Sequence, residues 1–355
     1  MAGAMTLLSW GGISYPQGYE KAGMMDYLRD AVKWGTDYFI KAHTAENEFY
    51  GQVGNGDFDH QTWGRPEEMP DWRPSYKIDA NNHGSDLAAE TAASLASAAM
   101  LFDGVDDAHA TELIDHAEQL YSFADQYRGK YSDFIPDADK FYKSYSGYND
   151  ELVWGAIWLY KATRKQKYLN KAVIYYDLFG FASNTQFFSW DHKLAGAQVL
   201  LAQETGESRF VRLIKISSHK KFQLFYLNER FLNDALNVCQ YYVDYQRSPQ
   251  GRTHYLKWGS LRYAANAAFI CLQASDLAGD KGKSETFREY ALGQMEYMLG
   301  STGRSFVVGF GTNPPTQPHH ASSSCPVNPN ETCDWETFNS PNPNPHVLYG
   351  ALVGG

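Results

Sequence analysis

Long apolar runs, an excess of basic residues and strand-like alternation are all missing from this chain of 355 residues. No apolar run reaches the roughly 18 residues that a transmembrane helix needs, so no membrane partner is expected. Acidic residues outnumber basic ones, 41 to 31, and the formal net charge is -10. Because nucleic-acid-binding proteins concentrate Lys and Arg on one face, nucleic acid is not an expected partner either. The near absence of alternating apolar and polar residues disfavours a protein built on β-sheets.

Cysteine is also scarce, with four residues, which is too few for a disulfide scaffold. Cys239 and Cys271 lie in apolar helical runs, and we expect them to be buried free thiols. Cys325 and Cys333 flank a loop rich in Pro and Asn, which a disulfide could close.

The loop between Cys325 and Cys333 contains Asn330-Glu-Thr332, a sequon for N-glycosylation. A disulfide and a sequon together indicate an oxidising compartment. The first eight residues have no charged segment and too short an apolar run for a signal peptide. We therefore expect the full-length protein to be secreted and extracellular, with its signal peptide absent from this chain.

Helical periodicity dominates the sequence, which is 43% hydrophobic and 15% aromatic. A solenoid would repeat at a fixed period of about 34 to 47 residues, and no such period is present. The length and composition fit one large domain or two small ones, and the pattern favours an all-α fold: a closed ring of helical hairpins, with binding residues on the long loops. The loop-rich stretch Ser305–Gly355 is the main candidate for a site. The predicted helices are Lys21–His43, Gly84–Met100, Asp107–Tyr127, Asn149–Thr163, Lys167–Tyr176, Asp191–Ala202, Leu232–Tyr245, Leu261–Ala278 and Lys283–Leu299.

Several composite motifs resemble glycoside hydrolase family 9, the endoglucanases with an (α/α)6 barrel. They occur in the family's order and span nearly the whole chain. The matching strings are Gly18-Tyr-Glu-Lys-Ala-Gly23, Trp34-Gly-Thr-Asp-Tyr-Phe-Ile-Lys-Ala-His43, Arg73-Pro-Ser-Tyr-Lys77, Gly84-Ser-Asp-Leu-Ala-Ala-Glu-Thr-Ala92, Ser146-Gly-Tyr-Asn-Asp-Glu-Leu152, Lys257-Trp-Gly-Ser-Leu-Arg262 and the loop around His319. These strings resemble those of the animal and bacterial members most.

The resemblance implies an endo-β-1,4-glucanase, a cellulase that hydrolyses internal bonds of β-1,4-glucan polysaccharide or oligosaccharide with inversion. Inversion needs an acid and a base on carboxyl groups about 6.5 to 9.5 Å apart. The family's base lies in an Asp-Ala-Gly-Asp turn and its acid in an Asn-Glu-Val-Ala segment, and neither string occurs in residues 1–355. We expect a domain that is incomplete at both termini, and a chain that is inactive or strongly impaired as given. The alternative is a noncatalytic carbohydrate-binding protein with the same aromatic cleft.

The resemblance also assigns roles to single residues. His319 matches the family's active-site histidine, although a lone histidine in a loop more often bonds to the backbone. Ala321 stands where the family has Arg, which removes donors suited to sugar hydroxyls. The residues that match substrate-binding positions in the cleft are His60, Trp63, Tyr142, Trp258 and Arg262. Without the motifs, these five would be read as core aromatics and a surface ion pair.

A calcium site is implied by the same resemblance, in the segment that opens with Ser146-Gly147. Calcium takes six to eight oxygen ligands, and this segment offers carbonyls and carboxylates. The expected ligands are Ser146, Gly147, Asp150, Glu151 and Asp191. The alternative is that acidic residues at a helix start only cap it and complement its dipole.

One stretch, residues 211–231, departs from the family. Its removal would join Glu207–Phe210 to Leu232–Leu236 as one family-like helix. It carries five basic residues and one acidic residue in an otherwise acidic chain. We therefore predict an insertion that stays out of the core, or at least a lengthened surface loop.

Overall fold

The computed structural model of the chain describes residues 1–206 and 218–354, and most of these residues are helical. Ten helices in this part of the chain have 13 residues or more. They are α1 (Ala2–Ser14), α2 (Met25–Ala42), α3 (Ser85–Phe102), α4 (Asp107–Gln126), α5 (Asn149–Thr163), α6 (Gln166–Leu178), α7 (Leu194–Gly206), α8 (Ser218–Asp244), α9 (Ser260–Leu277) and α10 (Lys281–Leu299). All nine predicted helices are present, most with boundaries shifted by only a few residues.

Local signals explain several of these helix boundaries. The side chain of Asp106 caps α4 by accepting a hydrogen bond from the backbone N–H of His109 at 3.1 Å. Asp280 caps α10 in the same way, accepting from Lys283 at 2.7 Å. The helix α10 then ends at Gly300, whose φ of 109° lies in the left-handed region that glycine adopts readily.

The chain divides into two compact units, which we describe separately. Unit 1 comprises Met1–Val53 and Ser75–Asn237, and unit 2 comprises Gly54–Pro74 and Val238–Gly355. The resemblance to glycoside hydrolase family 9 predicts that residues 1–355 belong to a single catalytic domain, and this stays a prediction.

The core of unit 1 lies around α3, which packs against α1, α4 and α5. Its many Ala and Ser side chains let these neighbours come close. Three fully buried tryptophans, Trp10, Trp154 and Trp158, pack with ring centroids 5.6 to 5.7 Å apart. Burial of such large aromatic surfaces contributes a major part of the stability of a core.

Unit 1 also contains a small antiparallel sheet that the sequence analysis did not predict. Its strands are β1 (His43–Ala45), β2 (Glu48–Val53) and β3 (Ser75–Asp79), in the order β1-β2-β3. Phe49 pairs with Ile78, and both side chains are buried. The strands are short, and only one side chain in each strand is buried, so alternation gives little signal.

In unit 2, α9 and α10 pack together around Leu261, Ala264, Tyr297 and Met298. A disulfide joins α8 to α9 through Cys239 and Cys271. The expectation that these two cysteines are free thiols was therefore wrong. Their Cα atoms lie 5.1 Å apart, within the range that a disulfide needs. The sequence could not show this, because two apolar helical runs do not reveal which of their faces meet.

The second disulfide, Cys325–Cys333, confirms the predicted loop closure, with Cα atoms 5.0 Å apart. No cysteine remains free.

Residues 211–217 of the predicted insertion lie outside the described residues, and α8 starts at Ser218. Near the end of the predicted insertion, Phe231 is fully buried and packs its ring 5.1 Å from that of Tyr176. The neighbouring Arg230 forms an ion pair with Asp177 at 2.7 Å. The expectation that the segment stays out of the core is therefore wrong at Phe231, and from Ser218 onward the segment is helix, not a surface loop. That residues 211–231 are an insertion relative to the family stays a prediction.

Across residues 1–206 and 218–354, no helix combines the length and the apolar character needed to cross a membrane.

Candidate functional site

Four aromatic side chains in unit 2 form a contiguous group, which we call the aromatic cluster: Trp63, His319, Trp335 and Phe338. The ring of Trp63 lies 5.1 Å from His319, 5.6 Å from Trp335 and 4.6 Å from Phe338, measured between centroids. His319 also meets Phe338 edge-on at 5.5 Å. The structure thus brings together two of the predicted site residues, Trp63 and His319, and adds two that were not predicted.

Burial divides the cluster into a base and a surface. Trp63 is 9% exposed, and its indole N–H donates to Ser324 Oγ at 2.9 Å. His319 is exposed, and Trp335 and Phe338 are 45% and 40% exposed. Trp63 therefore supports the exposed rings from beneath, and the solvent-facing surface combines an imidazole with two aromatic rings.

Trp335 and Phe338 are held on one short helix, Trp335–Phe338. Asp334 caps it, and the side chain of Thr337 accepts a hydrogen bond from the backbone N–H of Asp334 at 3.3 Å, which completes a capping box. The string Asp334-Trp-Glu-Thr337 is a sequence signal for this cap. It predicts a helical turn on which Trp335 and Phe338, three residues apart, lie on the same side.

The loop closed by the Cys325–Cys333 disulfide packs directly against Trp63. Arg65 holds this loop by donating to the carbonyl oxygens of Glu331 at 2.9 Å, Pro326 at 3.1 Å and Asn328 at 3.2 Å. Ala321, at the position where the family resemblance predicts an arginine, is partly buried against the same group. At this position the chain makes an apolar contact.

The remaining predicted residues of unit 2 lie on its surface. His60 is exposed, with Nδ1 2.6 Å from the carbonyl oxygen of Gly56. Trp258 is 82% exposed and makes no ring contact or hydrogen bond within the part of the chain that the structure describes. The guanidinium of Arg262 lies 4.9 Å over the ring of Tyr263. Trp258 and Arg262 are thus presented to solvent, as substrate-binding side chains would be.

Tyr142, the predicted substrate-binding residue of unit 1, is 62% exposed. Its ring meets that of Trp190 edge-on at 5.6 Å. Its backbone carbonyl accepts a hydrogen bond from the hydroxyl of Tyr131. The contact with Trp190 leaves most of the Tyr142 ring accessible to a ligand.

The predicted calcium ligands lie together in unit 1, where Asp191 holds the turn that contains Ser146. Its carboxylate accepts from the backbone N–H of Tyr145 at 2.9 Å and of Ser146 at 3.2 Å. The hydroxyl of Ser146 donates to the carbonyl oxygen of Asp191. Gly147 takes a φ of 92°, and its carbonyl accepts from Ser144 Oγ at 2.7 Å.

Asp150 and Glu151 are almost fully buried next to this turn, 2% and 3% exposed. Burial, and then the charge of Asp150, raise the pKa of Glu151 well above its usual value. Burial also raises the pKa of Asp191, to which the nearby Asp150 contributes. Three interacting carboxyl groups in a buried place favour a positive charge among them.

A buried lysine that sequence reasoning missed supplies part of that charge. Lys193 is 1% exposed, and its Nζ lies 3.4 Å from Glu90 Oε2 and 3.7 Å from Glu151 Oε1. The ammonium also donates to the carbonyl oxygens of Ser189, at 3.2 Å, and Trp190. Burial opposes the charged form of Lys193, but Glu90 and Glu151 outweigh it and raise its pKa. No local pattern predicts this partner, because a lysine that follows Trp-Asp-His is ordinarily a surface residue.

Lys193 forms ion pairs with Glu90 and Glu151, and Nδ1 of His192 lies 3.6 Å from Asp150 Oδ2. The oxygen donors in this place fit a hard cation such as calcium in chemical type. Within the described residues, however, no three His, Cys, Asp or Glu side chains are already arranged to hold a metal ion. The calcium site therefore stays a prediction.

The chain as a whole is similar to known glycoside hydrolases. The profile of Glycosyl hydrolase family 9 matches residues 1–355. Endoglucanase B of Cellulomonas fimi is 45% identical over 370 residues, covering 100% of this chain and 33% of the relative. Endoglucanase A of Bacillus pumilus is 42% identical over 359 residues, covering 100% of this chain and 52% of the relative. The chain thus spans about a third to a half of these curated relatives.

Solved structures agree with the sequence matches. An endoglucanase from the termite Nasutitermes takasagoensis superposes with a TM-score of 0.91 at 50% identity, over 100% of this chain and 76% of that one. Endoglucanase CelQ from Clostridium thermocellum, complexed with cellotriose, has a TM-score of 0.81 at 28% identity, over 100% of this chain and 55% of that one. The chain belongs to glycosyl hydrolase family 9, and the predicted all-α (α/α)6 barrel class is confirmed.

Proposed function

We propose that this chain is part of an endo-β-1,4-glucanase and binds β-1,4-glucan through the aromatic cluster. The observation that carries the proposal is that residues 1–355 match the family throughout, and that the similar proteins are endoglucanases. The cellotriose complex of CelQ supports an oligosaccharide of β-1,4-linked glucose as the ligand class.

The exposed surface of the cluster suits a sugar ring. Trp335 and Phe338 offer apolar faces, and His319 offers one ring nitrogen as donor and the other as acceptor when it is neutral. Because Trp63 is packed and its N–H is already bonded, it keeps these rings in place at little entropic cost on binding. Ala321 supplies no hydrogen bond, so we expect weaker contacts to the sugar unit nearest this position than an arginine would give.

For the chemistry, we propose hydrolysis with inversion in the full-length protein, with the acid and base on the two family segments that residues 1–355 do not contain. General acid and base assistance contributes about 100- to 10,000-fold to such reactions. We therefore predict that this chain alone hydrolyses β-glucan at least about a thousandfold more slowly than a full-length relative.

We further propose that the full-length protein is secreted. Two disulfides, Cys239–Cys271 and Cys325–Cys333, support an oxidising compartment, because disulfides seldom persist in reducing ones.

Calcium remains our proposal for unit 1, with oxygen ligands from Ser146, Gly147, Asp150, Glu151 and Asp191. Bound there, it would neutralise buried carboxylates and fasten the Tyr145–Gly147 turn to Asp191. We propose a structural role only.

The test measures binding and hydrolysis separately on the purified chain. Titration calorimetry with cellotetraose should show binding that Trp335→Ala weakens about fivefold or more, since stacking on an aromatic ring is worth on the order of 1 kcal/mol. Trp72→Ala is the matched control, because Trp72 is 55% exposed in the same unit and packs on Phe58 outside the cluster.

Hydrolysis is followed by reducing-sugar release from carboxymethylcellulose. Rates near those of a complete relative would show that the carboxylates have been misplaced. No binding of cellotetraose by the folded chain, or equal losses for Trp335→Ala and Trp72→Ala, would contradict the aromatic cluster as the binding surface.

A further inference from the structure

The loop closed by Cys325 and Cys333 carries the one Asn-X-Ser/Thr sequon of the whole sequence, at Asn330-Glu331-Thr332. The aromatic cluster does not use these three residues. Acceptor asparagines of this kind are surface residues of proteins that enter the secretory pathway, and the two disulfides indicate that route.

The structure orients this loop in a defined way. The carbonyl oxygens of Pro326, Asn328 and Glu331 all accept hydrogen bonds from Arg65, so the backbone on that side of the loop is occupied. Asn330 and Thr332 are both exposed. An ordered loop that exposes both residues presents a sequon better than a helix or a core segment would.

The amide of Asn330 is available. Its backbone N–H donates to Asn328 Oδ1 at 3.1 Å, which shapes the turn. Among the described residues, no side-chain hydrogen bond engages its amide group. Glycosylation of the side-chain amide therefore breaks none of the hydrogen bonds that the described residues form with Asn330.

We propose that Asn330 is an N-glycosylation site and that its glycan stands at the edge of the aromatic cluster. In the reaction the amide nitrogen of Asn330 forms a bond to C1 of the first sugar of a lipid-linked oligosaccharide diphosphate. The bond from that carbon to the diphosphate breaks, the lipid diphosphate leaves with the electron pair, and the amide gives up one proton. No oxidant or reductant is required.

The position has a consequence that rests on the proposed function. The cysteines that close the glycan-bearing loop pack against Trp63, the base of the cluster. A branched, hydrated glycan on this loop hinders the approach of a flat insoluble surface more than that of a short soluble chain. The glycan should therefore lower binding to crystalline cellulose and leave binding to cellotetraose nearly unchanged.

The first experiment secretes the full chain from insect cells behind a cleavable leader and maps its peptides by mass spectrometry. The peptide with Asn330 should carry a glycan, and peptide N-glycosidase treatment should leave aspartate there. Asn330→Gln and Thr332→Ala should each lose the glycan, while Thr332→Ser, which keeps the sequon, should retain it. Asn342→Gln is the control for an exposed asparagine of unit 2 outside a sequon.

An unmodified Asn330 in the secreted protein overturns the proposal. The second experiment compares the glycosylated chain with the same chain after enzymatic removal of the glycan, on microcrystalline cellulose and on cellotetraose. Equal retention on cellulose overturns the part that concerns access to the cluster. Failure of both forms to bind cellotetraose instead counts against the proposed function and leaves the modification established by mass.

Discussion

Gly155 on α5 lies so close to Ala89 on α3 that a Cβ at Gly155 would come within 2.9 Å of the carbonyl oxygen of Ala89. The same Cβ would lie 2.9 Å from the ring of Tyr121. Both helices belong to the core of unit 1, and their backbones approach closely because small residues meet at the crossing. The Ala-rich sequence of α3 predicts close packing, and the glycine opposite shows where the closest approach occurs.

We predict that Gly155→Ala destabilises the protein by about 1–3 kcal/mol, because overpacking against a backbone carbonyl forces the helices apart. The matched control is Gly293→Ala in α10, where an added Cβ meets nothing within 4 Å. That change should be neutral or stabilising by up to about 1 kcal/mol, from helix propensity alone. Urea denaturation measures the free energy of unfolding of both variants. Similar changes in Gly155→Ala and Gly293→Ala would refute the packing argument.

Lys193→Met should destabilise by about 3–5 kcal/mol at neutral pH, because it leaves buried Glu90 and Glu151 without their positive partner. Burial already raises the pKa of both carboxyls, so they can take up protons as the pH falls. The deficit should therefore shrink between pH 7 and pH 5.

The control for this substitution is Lys143→Met, since Lys143 pairs with Asp139 on the surface. An exposed pair of this kind contributes little to stability, because solvent screens it. Urea denaturation at both pH values measures the difference. A deficit in Lys193→Met no larger than in Lys143→Met would show that the buried charges are compensated in another way.

Sequence reasoning predicted what depends on local pattern and failed where distant residues meet. The helix Asn149–Thr163 was placed with its observed bounds, because its periodicity and its end are both local. The Cys239–Cys271 bridge and the role of Lys193 depend on which faces of separate helices meet, and no local pattern records that. Trp335 is an intermediate case. The string Asp334-Trp-Glu-Thr337 indicates the capping box that begins its helix, but no local pattern indicates its contact with Trp63.

Stability should fall in mild acid because of His43. Its Nδ1 lies 2.8 Å from Nδ1 of His116, so one proton is shared between two nitrogens and a second would remove the acceptor. Burial, and then the charge of His116, lower the pKa of His43 from 6.5 to about 4. Between these values the unfolded chain binds a proton that the folded chain does not, and stability decreases as the pH falls through this window. Below about pH 4 both states are protonated, and the loss is complete.

The expected loss from His43 is at most about 3 kcal/mol, from 1.36 kcal/mol per pKa unit. Chemical denaturation at several pH values from 7 to 4 should show it, and His43→Asn should flatten this acid limb. His346→Asn, at an exposed histidine, should leave the slope unchanged. An unaltered slope in His43→Asn would assign the acid sensitivity to other groups.

Calcium should raise the melting temperature of the chain, and a chelator should reverse the effect. A ligand that binds only the folded state stabilises it by about 2.7 kcal/mol at a hundred times its dissociation constant. Asp150→Ala and Asp191→Asn each remove a predicted ligand and should abolish the response.

Because Asp150 also accepts a hydrogen bond from the backbone N–H of Lys193 at 2.6 Å, its loss lowers stability even without calcium. The informative quantity is therefore the difference between melts with calcium and with chelator for each variant, and Asp139→Asn serves as the control at an exposed carboxylate. Identical melts of the unmodified chain in calcium and in chelator would leave Asp150 and Glu151 with the capping role alone.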